Sequence, residues 1–325
     1  MIPAWIIAAA YALDRLIGDP RWIPHPVIGM GKAITALEKR IRARTNTDKG
    51  LKRAGMLLPL LVAGGAFTAS WLLLVLLYWI HPWLAAAAHV MLIATTIAAK
   101  GLRDAGREVY LHLKRRDLPG ARRSLGMIVG RDTGHLGEAE IVRGTVETVA
   151  ENIVDAVVSP LFYALIGGAP LALAYRAVNT LDSMVGYKNE KYIHLGWASA
   201  RLDDIANFVP ARLTAGLLIG AAWLFRMDAA SSLRMVRRDA RLHPSPNSGF
   251  PESAVAGALG IRLGGENVYH GVRSFRAYMG EPLREMNAED ITKTSRLMFA
   301  VSTTFVIWCA AAVILVGLSG GRMLW

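Results

Sequence analysis

The sequence of 325 residues has almost no cysteine and contains two long stretches without charge. Its one cysteine, Cys309, excludes an internal disulfide bond and a metal site built from several thiolates. No Asp, Glu, Lys or Arg occurs from Ala54 to Ala99 or from Leu297 to Gly321. A charge-free run longer than about 18 residues is typical of a membrane span, because only a helix satisfies its own backbone in lipid. We therefore predict an integral membrane protein.

The sequence also lacks the usual motifs of nucleophilic and nucleotide-binding enzymes. It contains no Gly-x-Ser-x-Gly, no P-loop and no His-Glu-x-x-His. The acids, amides and bases that remain are gathered beside apolar segments. Such a set suits metal-assisted chemistry on a phosphate or carboxylate substrate.

Basic residues outnumber acidic ones, 37 to 25, yet nucleic-acid binding is not expected. The bases are interleaved with acids, and no stacking aromatics accompany them. Cytoplasmic loops carry excess Lys and Arg for topological reasons, and the loop from Ile17 to Arg53 is strongly basic. We therefore predict a multi-pass protein of the cell (inner, cytoplasmic) membrane.

The apolar segments predict an all-α polytopic fold with about five to six hydrophobic helices. The break at His81-Pro82 predicts a helical hairpin, while Pro160, Gly167-Gly168 and Pro170 predict a broken helix. No run shows strand alternation, so the cytoplasmic segments are expected to be helical. One membrane-embedded domain over residues 1–325 is the simplest interpretation. The segments are 2–16, 54–80, 82–99, 156–175, 213–225 (short for a span) and 297–318.

An acidic stripe leads into the apolar segment at Ala156. It follows Gly130-Arg131-Asp132-Thr133, where Asp132 or Thr133 is expected to cap a helix. Spacings of three or four place the stripe on one helix face. Acids at the mouth of a membrane helix are costly unless they meet cations, so we predict a Mg²⁺ site, with a stripe salt-bridged to arginine as the alternative. The stripe comprises Glu140, Arg143, Glu147, Glu151 and Asp155, with Asn152 beside it.

Two further polar segments and a proline-rich elbow could belong to the same site. Residues 179–190 include Asn179, Asp182, Lys188 and Asn189, and Arg201, Asp203, Asp204 and Asn207 follow shortly after. Residues 243–252 read His-Pro-Ser-Pro-Asn-Ser-Gly-Phe-Pro-Glu, a turn whose amides can cradle an anion. The elbow runs from Gly18 to Pro26 and contains Asp19 and His25. Each of these could instead be an ordinary polar or rigid loop.

These motifs, taken in order, resemble the CbiB/CobD family of cobalamin biosynthesis, the membrane-bound adenosylcobinamide-phosphate (cobinamide) synthases. The resemblance extends over nearly the whole chain. It departs from the family at Ala156, where glycine is expected, and at Ala277, where proline is expected. The motifs that carry it are Gly18-Asp19-Pro20-Arg21 with His25-Pro26, Gly130 to Thr133, Glu147 to Asn152, Asn179 to Asn189, Ser199 to Asp204, and His243 to Asn247.

The resemblance implies a carbon–nitrogen ligase that joins (R)-1-amino-2-propanol or its O-phosphate to the propionate carboxylate of adenosylcobyric acid. Because amide formation in water is uphill, the carboxylate must be activated, and the resemblance implies that ATP as co-substrate and Mg²⁺ serve this step. The resemblance leaves open which amino alcohol is used and whether the activated acid is an acyl phosphate or an adenylate. It also leaves open whether the protein forms homo-oligomers or associates with other corrinoid-pathway membrane enzymes.

Combining this chemistry with the motifs gives the expected site. The catalytic candidates are Glu147, Glu151, Asp182 and Lys188, and the metal ligands are Glu147, Glu151, Asp155 and Asp182. The substrate- or phosphate-binding candidates are Arg131, Asp132, Asn152, Asn179, Asn189, Arg201, Asp203, Asp204, His243, Ser245, Asn247 and Ser248.

Two other functions fit the composition. A Mg²⁺-dependent prenyl- or phosphoalcohol transferase would also set acidic motifs on membrane helices, but would need a lipid-length groove and no ATP. A transporter would explain the broken helices, although it needs fewer polar cytoplasmic motifs.

Overall fold

A computed structural model of the chain describes residues 2–18, 25–269 and 271–318. Helices dominate it, and the described strands form one hairpin. The helices are α1 Ala4–Leu16, α2 Pro26–Arg44, α3 Asp48–Gly55, α4 Leu57–Ile80, α5 Pro82–Ala94, α6 Ala99–Lys114, α7 Leu118–Gly126, α8 Glu138–Ile153, α9 Ser159–Val185, α10 Trp197–Ala206, α11 Phe208–Leu224, α12 Ala229–Asp239, α13 Gly249–Leu259 and α14 Glu289–Leu318. The strands are β1 Arg262–Tyr269 and β2 Val272–Gly280.

The helices confirm an α-helical membrane protein. Among the described residues, four helical stretches are long and apolar enough to cross a membrane, and a fifth is obtained when the bent pair α10 and α11 counts as one span. Helix α1, at 13 residues, is not among them. The four stretches are Asp48–Ile80, Pro82–Lys114, Glu138–Val185 and Glu289–Val316.

The chain is organised as two compact units, and each combines segments that are distant in sequence. Unit 1 comprises residues 1–98, 159–207 and 306–325, and unit 2 comprises residues 99–158 and 208–305. The prediction of a single membrane-embedded domain stays a prediction.

The core of unit 1 lies where α2, α4 and α9 pack together. Ile34, Leu58 and Leu181 are fully buried there, one from each helix. Helices α4 and α5 contact each other, so the predicted helical hairpin is confirmed. His81 separates them with an extended backbone, and its Nδ1 accepts a hydrogen bond from Trp83 N at 3.2 Å.

Helix α9 is broken where the sequence predicts a break. Gly167 and Gly168 have non-helical backbone angles, and Gly168 has φ 67° and ψ −159°, a region that essentially only glycine occupies. A Cβ at Gly168 would also lie 2.7 Å from His89 Nε2. The predicted end near residue 175 is wrong, because helical geometry continues to Val185 and carries Asn179 and Asp182 on a helix.

Helix α11 is longer than its apolar segment. It begins at Phe208 and has 17 residues, which corresponds to about 25 Å at 1.5 Å per residue. The prediction from hydropathy alone omitted its first residues, among them the charged Arg212.

The core of unit 2 is built around α13, all of whose residues except Phe250 are buried. Helices α8, α11 and α12 and both strands contact it. Its small side chains permit close approach, since a Cβ at Gly257 would lie 2.6 Å from Ser232 Cα in α12. Gly260, with φ 64°, ends the helix in the left-handed conformation.

The β-hairpin corrects the sequence prediction in one place, because the polar segments were expected to be mostly helical and without strands. Strands β1 and β2 pair antiparallel, with Arg262 opposite Gly280, Tyr269 opposite Val272 and a register shift between Leu263 and Gly265. The burial of β1 does not alternate, because Leu263, Gly264 and Gly265 are buried in succession at the shift. This irregularity explains why no period-2 pattern identified the strand.

Candidate active site

A small polar pocket lies in unit 2 beside α8 and the hairpin. It has a volume of about 150 Å³. Four residues singled out from the sequence, Arg131, Glu147, Glu151 and Asn152, line it. We call it the polar pocket; its complete lining is Ile128, Val129, Gly130, Arg131, Glu147, Thr148, Glu151, Asn152, Tyr269 and Arg276.

One wall of the polar pocket is a buried ion-pair network centred on Glu147. Its Oε2 accepts a hydrogen bond from Arg131 Nη2 at 2.6 Å, and its Oε1 accepts one from Gly264 N at 2.8 Å. Arg143 Nη1 lies 3.9 Å from Oε1 and also donates to the Gly264 carbonyl oxygen. Arg131 Nη1 donates to Asn267 Oδ1 on β1. Glu147 therefore ties α8 to the hairpin.

The loop before α8 is also hydrogen-bonded to the hairpin. Asp132 N donates to Val268 O at 2.8 Å, and Asp132 Oδ2 accepts from Gly271 N at 2.8 Å. The predicted capping role of Asp132 or Thr133 is wrong, because α8 begins at Glu138 after Gly137. Thr133 Oγ1 instead donates to Arg122 O at 2.9 Å.

The 243–248 loop reaches the polar pocket through a side chain. Ser248 Oγ donates to Glu151 Oε1 at 2.8 Å. The amides of Asn247 and Ser248 both point to Ser245 Oγ at 3.3 Å, so they are not presented to an anion as the sequence predicts. Asn247 Oδ1 accepts from Arg212 Nη1 at 3.3 Å. The loop thus positions Glu151.

A fully buried acid lies near the polar pocket. Glu252, at 0% exposure, makes no side-chain hydrogen bond with the described residues, and its Oε1 lies 3.6 Å from His243 Nε2. Burial raises the pKa of the Glu252 carboxyl well above its usual range, and the negative charges of Glu151 and Glu147 raise it further. Burial lowers the pKa of the His243 imidazole. Both shifts in pKa favour the uncharged form of the group.

A second group of predicted residues lies in unit 1, around Asp203. Its Oδ2 accepts from Asn207 Nδ2 at 3.0 Å, and Asp182 is close enough to interact with it electrostatically. Asn207 Oδ1 in turn accepts from Ser159 Oγ at 2.6 Å and Tyr175 OH at 2.9 Å. Asp203 is therefore held by a hydrogen-bond network through Asn207.

The other predicted residues of unit 1 lie nearer the surface. Lys188 and Asn189 are exposed, and Asn189 Oδ1 accepts from Tyr192 N at 3.1 Å. Arg201 Nη1 lies 3.4 Å from Asp204 Oδ2. Asn179 Oδ1 accepts from Arg176 Nη1 at 3.4 Å.

Parts of the proline-rich elbow lie outside the described residues, including Asp19. His25, which is described, is the N-cap of α2, and its Nδ1 accepts a hydrogen bond from Val27 N at 3.3 Å.

Comparison with known proteins now decides the family. The family model described as "CobD/Cbib protein" matches residues 7–298 of the chain. The chain belongs to the CobD/CbiB family. This confirms the resemblance drawn from the motifs.

Relatives of nearly equal length support the CobD/CbiB assignment. The cobalamin biosynthesis protein CobD of Geobacter metallireducens is 48% identical over 305 residues, or 94% of this chain and 95% of the relative. CobD of Halalkalibacterium halodurans is 49% identical over 312 residues (95% and 96%). The cobalamin biosynthesis protein CbiB of Salmonella typhimurium is 46% identical over 319 residues (98% and 99%). No solved structure matches the chain.

In this CobD/CbiB chain, sequence reasoning missed two polar residues of the polar pocket, Tyr269 and Arg276. Both belong to the hairpin, and Arg276 Nη2 donates to Tyr269 OH at 3.1 Å. The sequence offered one signal for these two residues, their polar chemistry: a tyrosine and an arginine lie within eight residues of each other in a segment predicted to be helical. Without the strand pairing, nothing placed them beside Glu151.

The four acids expected to bind metal do not form a preassembled site. Among the described residues, no group of three or more His, Cys, Asp or Glu side chains is arranged to hold a metal ion. Both Glu147 oxygens already accept hydrogen bonds, which favours the ion-pair alternative for that residue. Asp155 lies in the π-helical turn Val154–Val158 that follows α8. Glu151 lines the pocket and accepts one described hydrogen bond, from Ser248, so it fits a cation best.

Proposed function

We propose that this chain is an amide-forming synthase of cobalamin biosynthesis in the cell membrane. It joins (R)-1-amino-2-propanol or its O-phosphate to the propionate carboxylate of adenosylcobyric acid, with ATP as co-substrate. The observation that carries the proposal is 46–49% sequence identity, over nearly the full length of the chain, to relatives named as cobalamin biosynthesis proteins. The helices that could span a membrane support a multi-pass topology.

The chemistry requires an activated carboxylate, because an amide does not form from a carboxylate and an amine in water without an energy source. Phosphoryl or nucleotidyl transfer from ATP develops negative charge on phosphate oxygens, which positively charged groups stabilise. The polar pocket supplies such groups with Arg131 and Arg276, and it presents Glu151 beside them.

Glu151 is the residue that would hold Mg²⁺, with substrate phosphate oxygens completing the ligand set. Magnesium is commonly bound by one or two carboxylates together with phosphates, so no group of three acids is needed. When bound, the ion would neutralise charge on the transferred phosphoryl group. Ser248 Oγ fixes one Glu151 oxygen at 2.8 Å and so orients the carboxylate. Glu147 supports the pocket wall.

The test is conversion by the purified full chain in detergent. Adenosylcobyric acid, aminopropanol phosphate, ATP and Mg²⁺ should give the amide, detected by mass spectrometry, and omission of ATP should abolish it. ADP as the second product would indicate an acyl phosphate, and AMP an adenylate. A corrinoid recovered unchanged, or transfer to a lipid acceptor without ATP, would contradict the proposal.

The Glu151 assignment has its own control. Glu151→Gln should lose most activity and should no longer bind Mn²⁺ in the presence of ATP, as measured by electron paramagnetic resonance. Glu138→Gln, exposed at the start of the same helix, should behave as wild type. Unchanged Mn²⁺ binding by Glu151→Gln would remove Glu151 from the metal site.

A further inference from the structure

Arg276 contributes a positive charge to the polar pocket. It lies on β2 opposite Gly265, it is only partly exposed, and its described side-chain hydrogen bond goes to Tyr269 OH at 3.1 Å. Within the described part of the chain it makes no ion pair, although Glu147 and Glu151 line the same pocket and interact with it electrostatically.

The other buried arginines of this site are engaged by protein groups. Arg131 donates to Glu147 and Asn267, and Arg143 donates to two hairpin carbonyl oxygens, those of Gly264 and Glu266. A guanidinium has five N–H donors, so Arg276 retains donors after its bond to Tyr269. These remaining donors can form charge-assisted hydrogen bonds to an anion in the pocket.

The size of the pocket restricts that anion. A volume of about 150 Å³ matches a single small anionic group, so a nucleotide or a corrin ring would have to extend beyond the pocket. The guanidinium fork matches two oxygens of a phosphoryl group, and the side chains of Thr148 and Asn152 offer neutral contacts for the third.

We propose that Arg276 binds the phosphoryl group of a substrate in the polar pocket, held in place by Tyr269. The inference rests on the proposed function for the identity of the substrates. The phosphoryl group has two sources in that reaction, the phosphorylated amino alcohol and the terminal phosphate of ATP.

Steady-state kinetics with Arg276→Gln distinguish the sources. Loss of a charged hydrogen bond of this kind should raise one Michaelis constant roughly ten- to a hundredfold. A rise for aminopropanol phosphate, without a rise for free aminopropanol, identifies the amino alcohol phosphate. A rise for ATP alone identifies the nucleotide. The constant for the corrinoid should stay near that of wild type.

A matched control lies on the same strand. Arg273 is three residues away and 81% exposed, and it pairs with Glu266 at 3.3 Å on the surface. Arg273→Gln should leave every constant unchanged. Arg276→Lys keeps the charge without the fork, so it should bind phosphate more weakly than wild type and more tightly than Arg276→Gln.

Calorimetry with aminopropanol phosphate, ATP and inorganic phosphate separates this inference from the proposed function. A wild-type chain that makes no amide would refute the function while leaving phosphate binding measurable. Binding by both Arg276 variants that equals that of Arg273→Gln would overturn the Arg276 assignment. If Arg276→Gln does not fold, the test of the assignment uses Arg276→Lys alone. Wild-type affinity of Arg276→Lys for every phosphorylated ligand would then refute the Arg276 assignment.

Discussion

The two glutamates of α8 that face the polar pocket should respond differently to the same substitution. Glu147 and Arg131 form a buried ion pair, with side chains 4% and 6% exposed, and Arg143 is 9% exposed beside them. Glu147→Gln removes the one carboxylate that both arginines share in this network. Breaking a buried ion pair by neutralising one partner costs about 3–5 kcal/mol, because the remaining charge is left uncompensated.

The expected effect is therefore a loss of stability. At about 2–4 °C per kcal/mol for a folded unit of this size, Glu147→Gln should lower the melting temperature by roughly 10 °C. The glutamine oxygen can still accept from Gly264 N, so the loss should be smaller than for Glu147→Ala. Circular dichroism at 222 nm on the full chain in detergent measures it.

Glu151→Gln is the matched control, one helical turn further along α8. Glu151 is only partly buried, and its described hydrogen bond comes from the neutral Ser248 hydroxyl. We expect its melting temperature to stay close to that of wild type while its activity collapses. The sequence alone predicts the same outcome for both variants, namely lost activity with an intact fold.

A double variant tests the ion pair directly. Arg131→Gln combined with Glu147→Gln removes both charges, so it should be more stable than the sum of the single variants predicts. A wild-type melting temperature for Glu147→Gln, or additive effects in the double variant, would refute the buried-pair argument.

Three further predictions concern other parts of the molecule. Glu252 has a folded-state pKa raised above its unfolded value, so its favourable contribution to stability is complete below about pH 4.5 and is lost as the pH rises through the folded pKa. Glu252→Gln should therefore raise the melting temperature at pH 8 more than at pH 5. Equal shifts in melting temperature at both pH values would contradict this. Gly264 has φ 83°, and a Cβ there would collide with the Ala277 carbonyl oxygen, so Gly264→Ala should cost at least about 1 kcal/mol in unfolding by denaturant, while Gly134→Ala, with open space around it, should not. Lys188→Met should leave the melting temperature unchanged because Lys188 is exposed, and a rise in the Michaelis constant for ATP or aminopropanol phosphate would show that it contacts phosphate in the complex.

Where the chain breaks could be predicted because the breaks are local. Pro82 cannot donate a backbone hydrogen bond, and Gly168 occupies a backbone conformation that side chains exclude, whatever surrounds them. Helix ends were predicted less well. The end of α9 and the start of α11 lie in polar sequence, where hydropathy gives no signal for a helix boundary. There the helical backbone depends on tertiary contacts.

The site could be predicted only in part. Spacings of three and four residues place Glu147 and Glu151 on one face of α8, and both line the polar pocket. The spacing does not reveal what faces each of them. Glu147 contacts two arginines and the hairpin backbone, whereas Glu151 contacts one serine hydroxyl and lines the pocket. We propose on this difference that Glu147 supports the pocket wall and that Glu151 takes part in the chemistry.

The sequence by itself determined that this is an α-helical membrane protein of the CobD/CbiB family, because charge-free runs and long polar motifs are properties of the chain alone. Only the tertiary structure decided that a hairpin closes the polar pocket. In β1 the alternation of buried and exposed residues is interrupted by the register shift after Leu263, so no local period in the sequence predicts the strand pairing. The same pairing brings Arg276 beside a helix more than 100 residues earlier in the chain, a contact that no local pattern can specify.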